Sequence, residues 1–195
     1  MLFRSPASAV SLAANFYYQT GKDNLNRDVN ALNLLAELSA KMNPTATATF
    51  GYEYLSGNDA GEISENKAFN PLYGTNHKFN GFMDYFYVGG QHINGPGLND
   101  LYFKWACSRF KKVQWNLHIH YFGAAAALPG AARKYLGTEV DWDLTWTVNP
   151  AAKISLGYSH MFAGESMELV KPGGDHQSTQ NWAYLMFSVT PAFLK

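Results

Sequence analysis

A single cysteine, Cys107, stands in the 195-residue chain, so no disulfide can form within it. On an apolar strand face a lone thiol reads as a small hydrophobe rather than as a nucleophile. Charge is also scarce: charged residues make up 15% of the chain, against roughly 25% in an average soluble domain. Lys+Arg and Asp+Glu are equal at 15 each, so the net charge gives no bias toward nucleic acid or any other polyanion. Long hydrophobic runs are missing too. No stretch of about 18 apolar residues occurs, which excludes a transmembrane helix. It does not exclude membrane-crossing strands, which need only about ten residues of alternating character and suit a slightly negative mean hydropathy.

What the chain has is aromatics, 15% of its residues, and alternation with period two. Val113, Trp115, Leu117, Ile119 and Tyr121 alternate with Gln114, Asn116, His118 and His120. Leu136, Thr138, Val140, Trp142, Leu144, Trp146 and Val148 alternate with Gly137, Glu139, Asp141, Asp143, Thr145 and Thr147. A helix, with its period of about 3.6, would mix each pair of sets on every face. The same pattern predicts strands over 10–19, 45–54, 100–108 and 153–162. The segment from Asn181 to Thr190 is apolar on both faces, so its register is left open. Asp28 to Met42 is rich in Ala and Leu and suits a helix on propensity. A strand is preferred there, because it sets Leu32, Leu34, Ala36, Leu38 and Ala40 against Asn33, Glu37, Ser39 and Lys41 and keeps the hairpin count even.

The connections alternate in length. Short turns are expected at 42–45, 110–112 and 149–151, and long polar loops at 21–27, 56–97, 124–134 and 164–179. About eight antiparallel strands with short turns on one side and long loops on the other describe a transmembrane β-barrel of the bacterial outer membrane. The whole chain, 1–195, is read as one barrel domain, with 56–97 as a long extracellular loop. Trp105, Trp115, Tyr121, Trp142, Trp146, Tyr158 and Phe162 share the apolar face, as aromatic girdles at the lipid headgroups would. The bland alternative is a soluble sandwich or lipocalin-like barrel with the same face turned inward. Met1 to Ala14 carries one basic residue and an early Pro6 and does not read as an export signal. The chain is therefore expected to be the C-terminal piece of a longer protein.

Gly51-Tyr52-Glu53-Tyr54-Leu55-Ser56-Gly57-Asn58-Asp59 resembles the alginate-export family of outer-membrane porins. Leu72-Tyr73-Gly74-Thr75-Asn76-His77-Lys78-Phe79-Asn80-Gly81-Phe82-Met83-Asp84-Tyr85-Phe86 resembles its bacteroidete branch. Tyr17-Tyr18-Gln19-Thr20-Gly21-Lys22 and Gly97-Leu98-Asn99-Asp100-Leu101 fit the same pattern. The resemblance implies the C-terminal part of a barrel with about twice as many strands, and a pore whose named member secretes an anionic polysaccharide.

The polar faces supply the candidate lumen-lining residues: Glu37, Lys41, Glu53, Asp100, Lys104, His118, His120, Glu139, Asp141, Asp143 and Lys153. The family's exporters have an arginine-rich lumen, whereas this set holds lysines, no arginine, and an excess of carboxylates. A field of that sign favours cations over polyanions. His118 and His120, at i and i+2, are half of a metal site, but the sequence identifies no third ligand, and they are read as ordinary polar residues. Ser159 or Ser108 beside these histidines is not read as a catalytic pair, and no enzyme activity is expected. Asp59, Glu62 and Glu65 lack the spacing of a calcium loop and are read as acidic surface. The aromatic run Phe79, Phe82, Tyr85, Phe86 and Tyr87 is expected either to form a buried strand or to fold into the pore.

The expected function is porin-like passage or export of small polar solutes or saccharides, without cofactor or metal. Its expected partners are the lipid bilayer, those solutes and outer-membrane assembly proteins, with no nucleic acid. The rival is a closed eight-stranded anchor or adhesin whose loops do the work.

Overall fold

The computed structural model describes residues 2–3, 9–61, 64–72, 79–130 and 133–191, with side chains from residue 9 onward. Its strands are β1 (Leu2–Phe3), β2 (Val10–Lys22), β3 (Asp28–Asn43), β4 (Ala46–Leu55), β5 (Glu65–Asn66), β6 (Leu98–Phe110), β7 (Val113–Gly123), β8 (Tyr135–Asn149), β9 (Ala152–Ala163) and β10 (Gln180–Val189). They form one ten-stranded sheet in the order β1-β2-β3-β4-β6-β7-β8-β9-β10, with β5 added in parallel beside β3. Every other pairing is antiparallel and joins neighbours along that order. Helix among the described residues amounts to a 3-10 turn at Val88–Gly90 and one α-turn, α1 (Met167–Val170). The fold is thus all-β and barrel-like. The sheet is open, since among the described residues β10 pairs only with β9 and does not return to the first strands.

Asp28 to Asn43 is a 16-residue strand paired on both sides, against its helical propensity. Ladder bonds to β2 and β4, together with a two-faced pattern, outweigh a preference worth only a few tenths of a kcal/mol per residue. The register of the last strand is settled by β9: Gln180, Trp182 and Tyr184 lie opposite Met161, Ser159 and Gly157.

Because directly paired residues point to the same side of a sheet, registers trace whole rows across it. One polar row runs Glu37–Gly51–Tyr102–His120–Glu139–Met161–Gln180. The next toward the short turns runs Ser39–Thr49–Lys104–His118–Asp141–Ser159–Trp182. Rows of the opposite face are apolar, such as Leu12–Leu38–Phe50–Phe103–Ile119–Val140 and Trp105–Leu117–Trp142–Tyr158. Large apolar side chains stand bare on that face, Phe16 at 64%, Phe50 at 62% and Phe187 at 67% exposure. A soluble protein does not leave a continuous apolar sheet face uncovered, so the apolar side faces outward from the barrel-type curve.

Besides register shifts beside the short turns, at Lys41/Asn43, Cys107/Phe110 and Thr147/Asn149, the alternation is interrupted at the loop end of β8. Leu136 was expected beside Thr138 and Val140 on the apolar face, yet it is fully buried among the loop residues. A register shift where Phe122 and Gly123 meet Gly137 and Tyr135 leaves Leu136 unpaired. This β-bulge turns its side chain to the other side.

Two rings cross the polar face flat over glycines. Tyr102 on β6 spans Gly51 on β4, and its hydroxyl donates to Glu37 Oε1 on β3 at 2.7 Å. Tyr184 on β10 covers Gly157 on β9 in the same manner. A Cβ at Gly51 would run into the Tyr102 ring. Gly51→Val is therefore expected to lower stability by about 1–3 kcal/mol through overpacking. In a denaturant titration, Tyr102→Ala in the same chain should recover part of that loss, because the clash then has no ring to meet.

Candidate functional site on the loop-covered face

All eleven polar candidates lie on one side of the sheet, the side against which the long loop packs. The rows above hold Glu37, His120 and Glu139, and Lys104, His118 and Asp141. Neighbouring rows hold Glu53 opposite Asp100, Lys41 with Asp143 further along the same row, and Lys153 opposite Thr147. Their surroundings differ. Asp100, His120, Glu139 and Asp141 are fully buried, Lys41 and Lys153 at the short-turn end are exposed, and the remainder are half-buried.

The loop tip explains the burial. Asn80 donates from Nδ2 to Glu53 Oε2 at 3.1 Å and to Asp100 Oδ2 at 3.2 Å. Gly81 takes φ +83°, and the backbone N–H groups of Phe82 and Met83 then both donate to Glu139 Oε1, at 2.6 and 2.9 Å. One carboxyl oxygen gripped by two consecutive amides anchors the loop tip to β8. Any Cβ at Gly81 would strike that carboxylate, so the approach requires glycine. Phe82 then packs edge-on to His118 with ring centroids 5.0 Å apart, and Tyr85 donates its hydroxyl to Gln180 Oε1 at 2.7 Å. The aromatic run therefore lies across the polar face as a folded loop and is not a strand. Phe79 remains exposed, while Phe86 and Tyr87 are buried.

Phe86 and Tyr87 sit in an apolar cluster at the long-loop end with Leu55, Leu98, Phe122, Leu136 and Met161. The face that is polar in its middle is thus apolar where the loops meet. The neck of the loop is tied by asparagines. Asn58 and Asn66 share a bond at 3.2 Å, Asn66 and Asn70 both donate to Asn94 Oδ1, and Asn70 exchanges two bonds with Gln19. Asp59 serves the same end by accepting from Ala127 N–H, and Glu65 pairs with Lys67. Glu62 lies outside the described residues, as do 73–78 of the longer family-like stretch.

The remaining charges find local partners. Lys104 Nζ sits 4.1 Å from the centre of the Tyr102 ring and 3.8 Å from Glu37. Asp143 accepts two bonds from Asn116. His120 Nδ1 is held 2.9 Å from both oxygens of Asp100. Asp141 is different, since neither of its oxygens has a well-formed hydrogen bond, with the Ser159 hydroxyl and the Glu139 carboxyl beside it. It stands directly opposite His118 and, with His118 and His120, brings three ligand-type atoms within 4.8 Å of one another. The third ligand that the sequence did not identify therefore comes from the neighbouring strand. Only register reveals it, because residues 118 and 141 are far apart along the chain. Ser159 Oγ has no hydrogen-bond partner, and Ser108 Oγ bonds the Thr45 carbonyl, so neither serine is bonded to an imidazole.

A sheet that is apolar on one face, polar on the other and covered there by its long loop is of the barrel type. A family model described as alginate export matches residues 5–183, and the chain belongs to that family. No curated protein matches it.

One loop group carries a pH dependence. His92 packs edge-on against Phe86 and Tyr87, with Nε2 2.9 Å from the Gly97 carbonyl. Burial pushes its imidazole down to about 4 and the nearby Lys171 charge adds to this, while the Gly97 carbonyl pulls the other way. The folded loop thus prefers neutral His92, and its docking is strongest above the unfolded histidine value of about 6.5. Docking should weaken as pH falls from there toward 4. Protease cleavage within 79–97 is expected to speed up between pH 7.5 and 5, and His92→Gln should flatten that rise.

Proposed function

We propose that this protein is an outer-membrane channel whose long loop folds inward and narrows the pore. Small polar solutes or saccharides would pass through it passively, without chemistry or a cofactor. The observation that carries the reading is the grip of Glu139 on the Phe82 and Met83 amides, which fixes the loop tip on the polar side of the sheet. Membership in an export family supports the channel and a saccharide-like cargo. The short turns would face the periplasm and the long loops the exterior. Size and charge at the loop tip would then select what passes. On this face Glu37, Glu53, Asp100, Glu139, Asp141 and Asp143 outnumber Lys41, Lys104 and Lys153. Neutral saccharides and cations fit that balance better than a polyanion does. A bacteroidete outer membrane is the setting that the motif resemblance favours.

The bilayer part of the reading is tested at Leu117, midway along β7 on the apolar face. Leu117→Arg is expected to lower stability in lipid vesicles by about 2–4 kcal/mol. Asn116→Arg, on the polar face beside Asp143, should cost far less. Equal tolerance at both positions would reverse the inside-out assignment.

The pore part is tested by conductance in planar bilayers with the full-length protein. Gly81→Val cannot hold the loop against Glu139, so single-channel conductance is expected to rise several-fold over the parent, with a mild cation preference in both. The sealed apolar cluster at the loop end favours a second reading, a closed membrane anchor with working loops. Absence of conductance in both proteins would select it.

A further inference from the structure

We propose that His118, His120 and Asp141 form a binding site for one divalent first-row transition metal ion of the zinc type, beneath the tip of the long loop. His118 and His120 project from β7 to the same side, and Asp141 lies directly across from His118 on β8. One ligand atom from each falls within 4.8 Å of the other two. Around a single zinc ion, with bonds of about 2.0–2.2 Å, donor atoms lie roughly 3–4 Å apart, so small side-chain rotations close the site.

Three features point to a ligand rather than to a chance cluster. First, Asp141 is 1% exposed, and neither of its oxygens has a well-formed hydrogen bond, although the Ser159 hydroxyl, the Glu139 carboxyl and the Phe82 amide stand near it; Nδ1 of His118 also has none. A buried carboxylate in that condition is strongly unfavourable unless a cation or several donors meet it. Second, His120 is already oriented. Its Nδ1 faces both oxygens of the buried Asp100 at 2.9 Å. An ionised carboxylate only accepts, so Nδ1 carries the proton and Nε2 offers its lone pair. A carboxylate holding the far nitrogen of an imidazole is how proteins orient histidine ligands toward a metal. Third, the nearest cation is turned away. Lys104 is opposite His118 in register, but its ammonium lies over the Tyr102 ring and toward Glu37.

Two imidazoles and one carboxylate are a donor set for zinc, iron or nickel rather than for calcium or magnesium, which prefer oxygen alone. Ser159, across from Asp141 on β9, stands beside that carboxylate. Phe82 packs against His118 from above. The bound ion would therefore be covered by the docked loop and would bind β7 to β8 under it.

The test uses the full-length protein in detergent, stripped with a chelator and titrated with Co²⁺ and Zn²⁺. One Co²⁺ per chain is expected, giving visible d–d bands that Zn²⁺ displaces. His120→Asn with Asp141→Asn should abolish the bands. Asp100→Asn should keep them but weaken binding by about 10–100-fold. Folding of each variant is checked by its heat-modifiable gel mobility. Should the double variant fail to fold, the unaltered protein still decides, because no stoichiometric uptake by it overturns the proposal. His176→Ala tests the other cluster among the described residues, Glu168, Asp175 and His176 on the exposed loop. Its uptake should equal that of the parent, and loss of the bands in this variant would move the site to that loop and overturn the proposal.

Discussion

The register of the antiparallel ladder is the constraint on which the rest of the structure depends. Each long strand spends its backbone hydrogen bonds on its neighbours, and pairing with period two then fixes every side chain to one face. A slip of one residue of β8 against β7 would send Asp141 outward and Trp142 inward, away from His118 and His120. The apolar rows on one side make that slip prohibitive, so the polar side can carry groups that would not otherwise be tolerated in a buried place.

Those groups are used mainly to hold the long loop. Glu139 takes two amides, Glu53 and Asp100 take Asn80, and the aromatic residues that follow complete an apolar cluster at the loop end. Carboxylates whose sequence pattern suggested a row of charges facing a solute are thus partly consumed as anchors. The charge left unengaged on this face is smaller than a count of residues implies, and it is carried more by half-buried Glu37, Glu53 and Asp143 than by buried Asp100, Glu139 and Asp141. The loop also links the two ends of the sheet order, since Tyr85 reaches Gln180 on β10 while Asn70 and Gln19 join it to β2. It acts as an internal strut across a sheet whose two ends, among the described residues, do not pair with each other.

The alternation by itself determined the faces of seven of the eight long strands, the short turns and the long loops, including the strand at Asp28–Asn43 that helix propensity opposed. It did so because period two is a local property, visible within ten residues and enforced by the different surroundings of the two sheet faces. It failed at Leu136, where a bulge interrupts the period, and it left β10 undetermined, where both faces are apolar and only pairing with β9 sets the register. The tertiary structure alone decided what the polar residues do. Whether Glu139 faces a solute or a loop amide depends on Gly81, distant in sequence. Whether His118 and His120 have a third companion depends on Asp141 across the ladder. Such meetings are set by strand register and by where a long loop lands, and neither is written in the local spacing of residues.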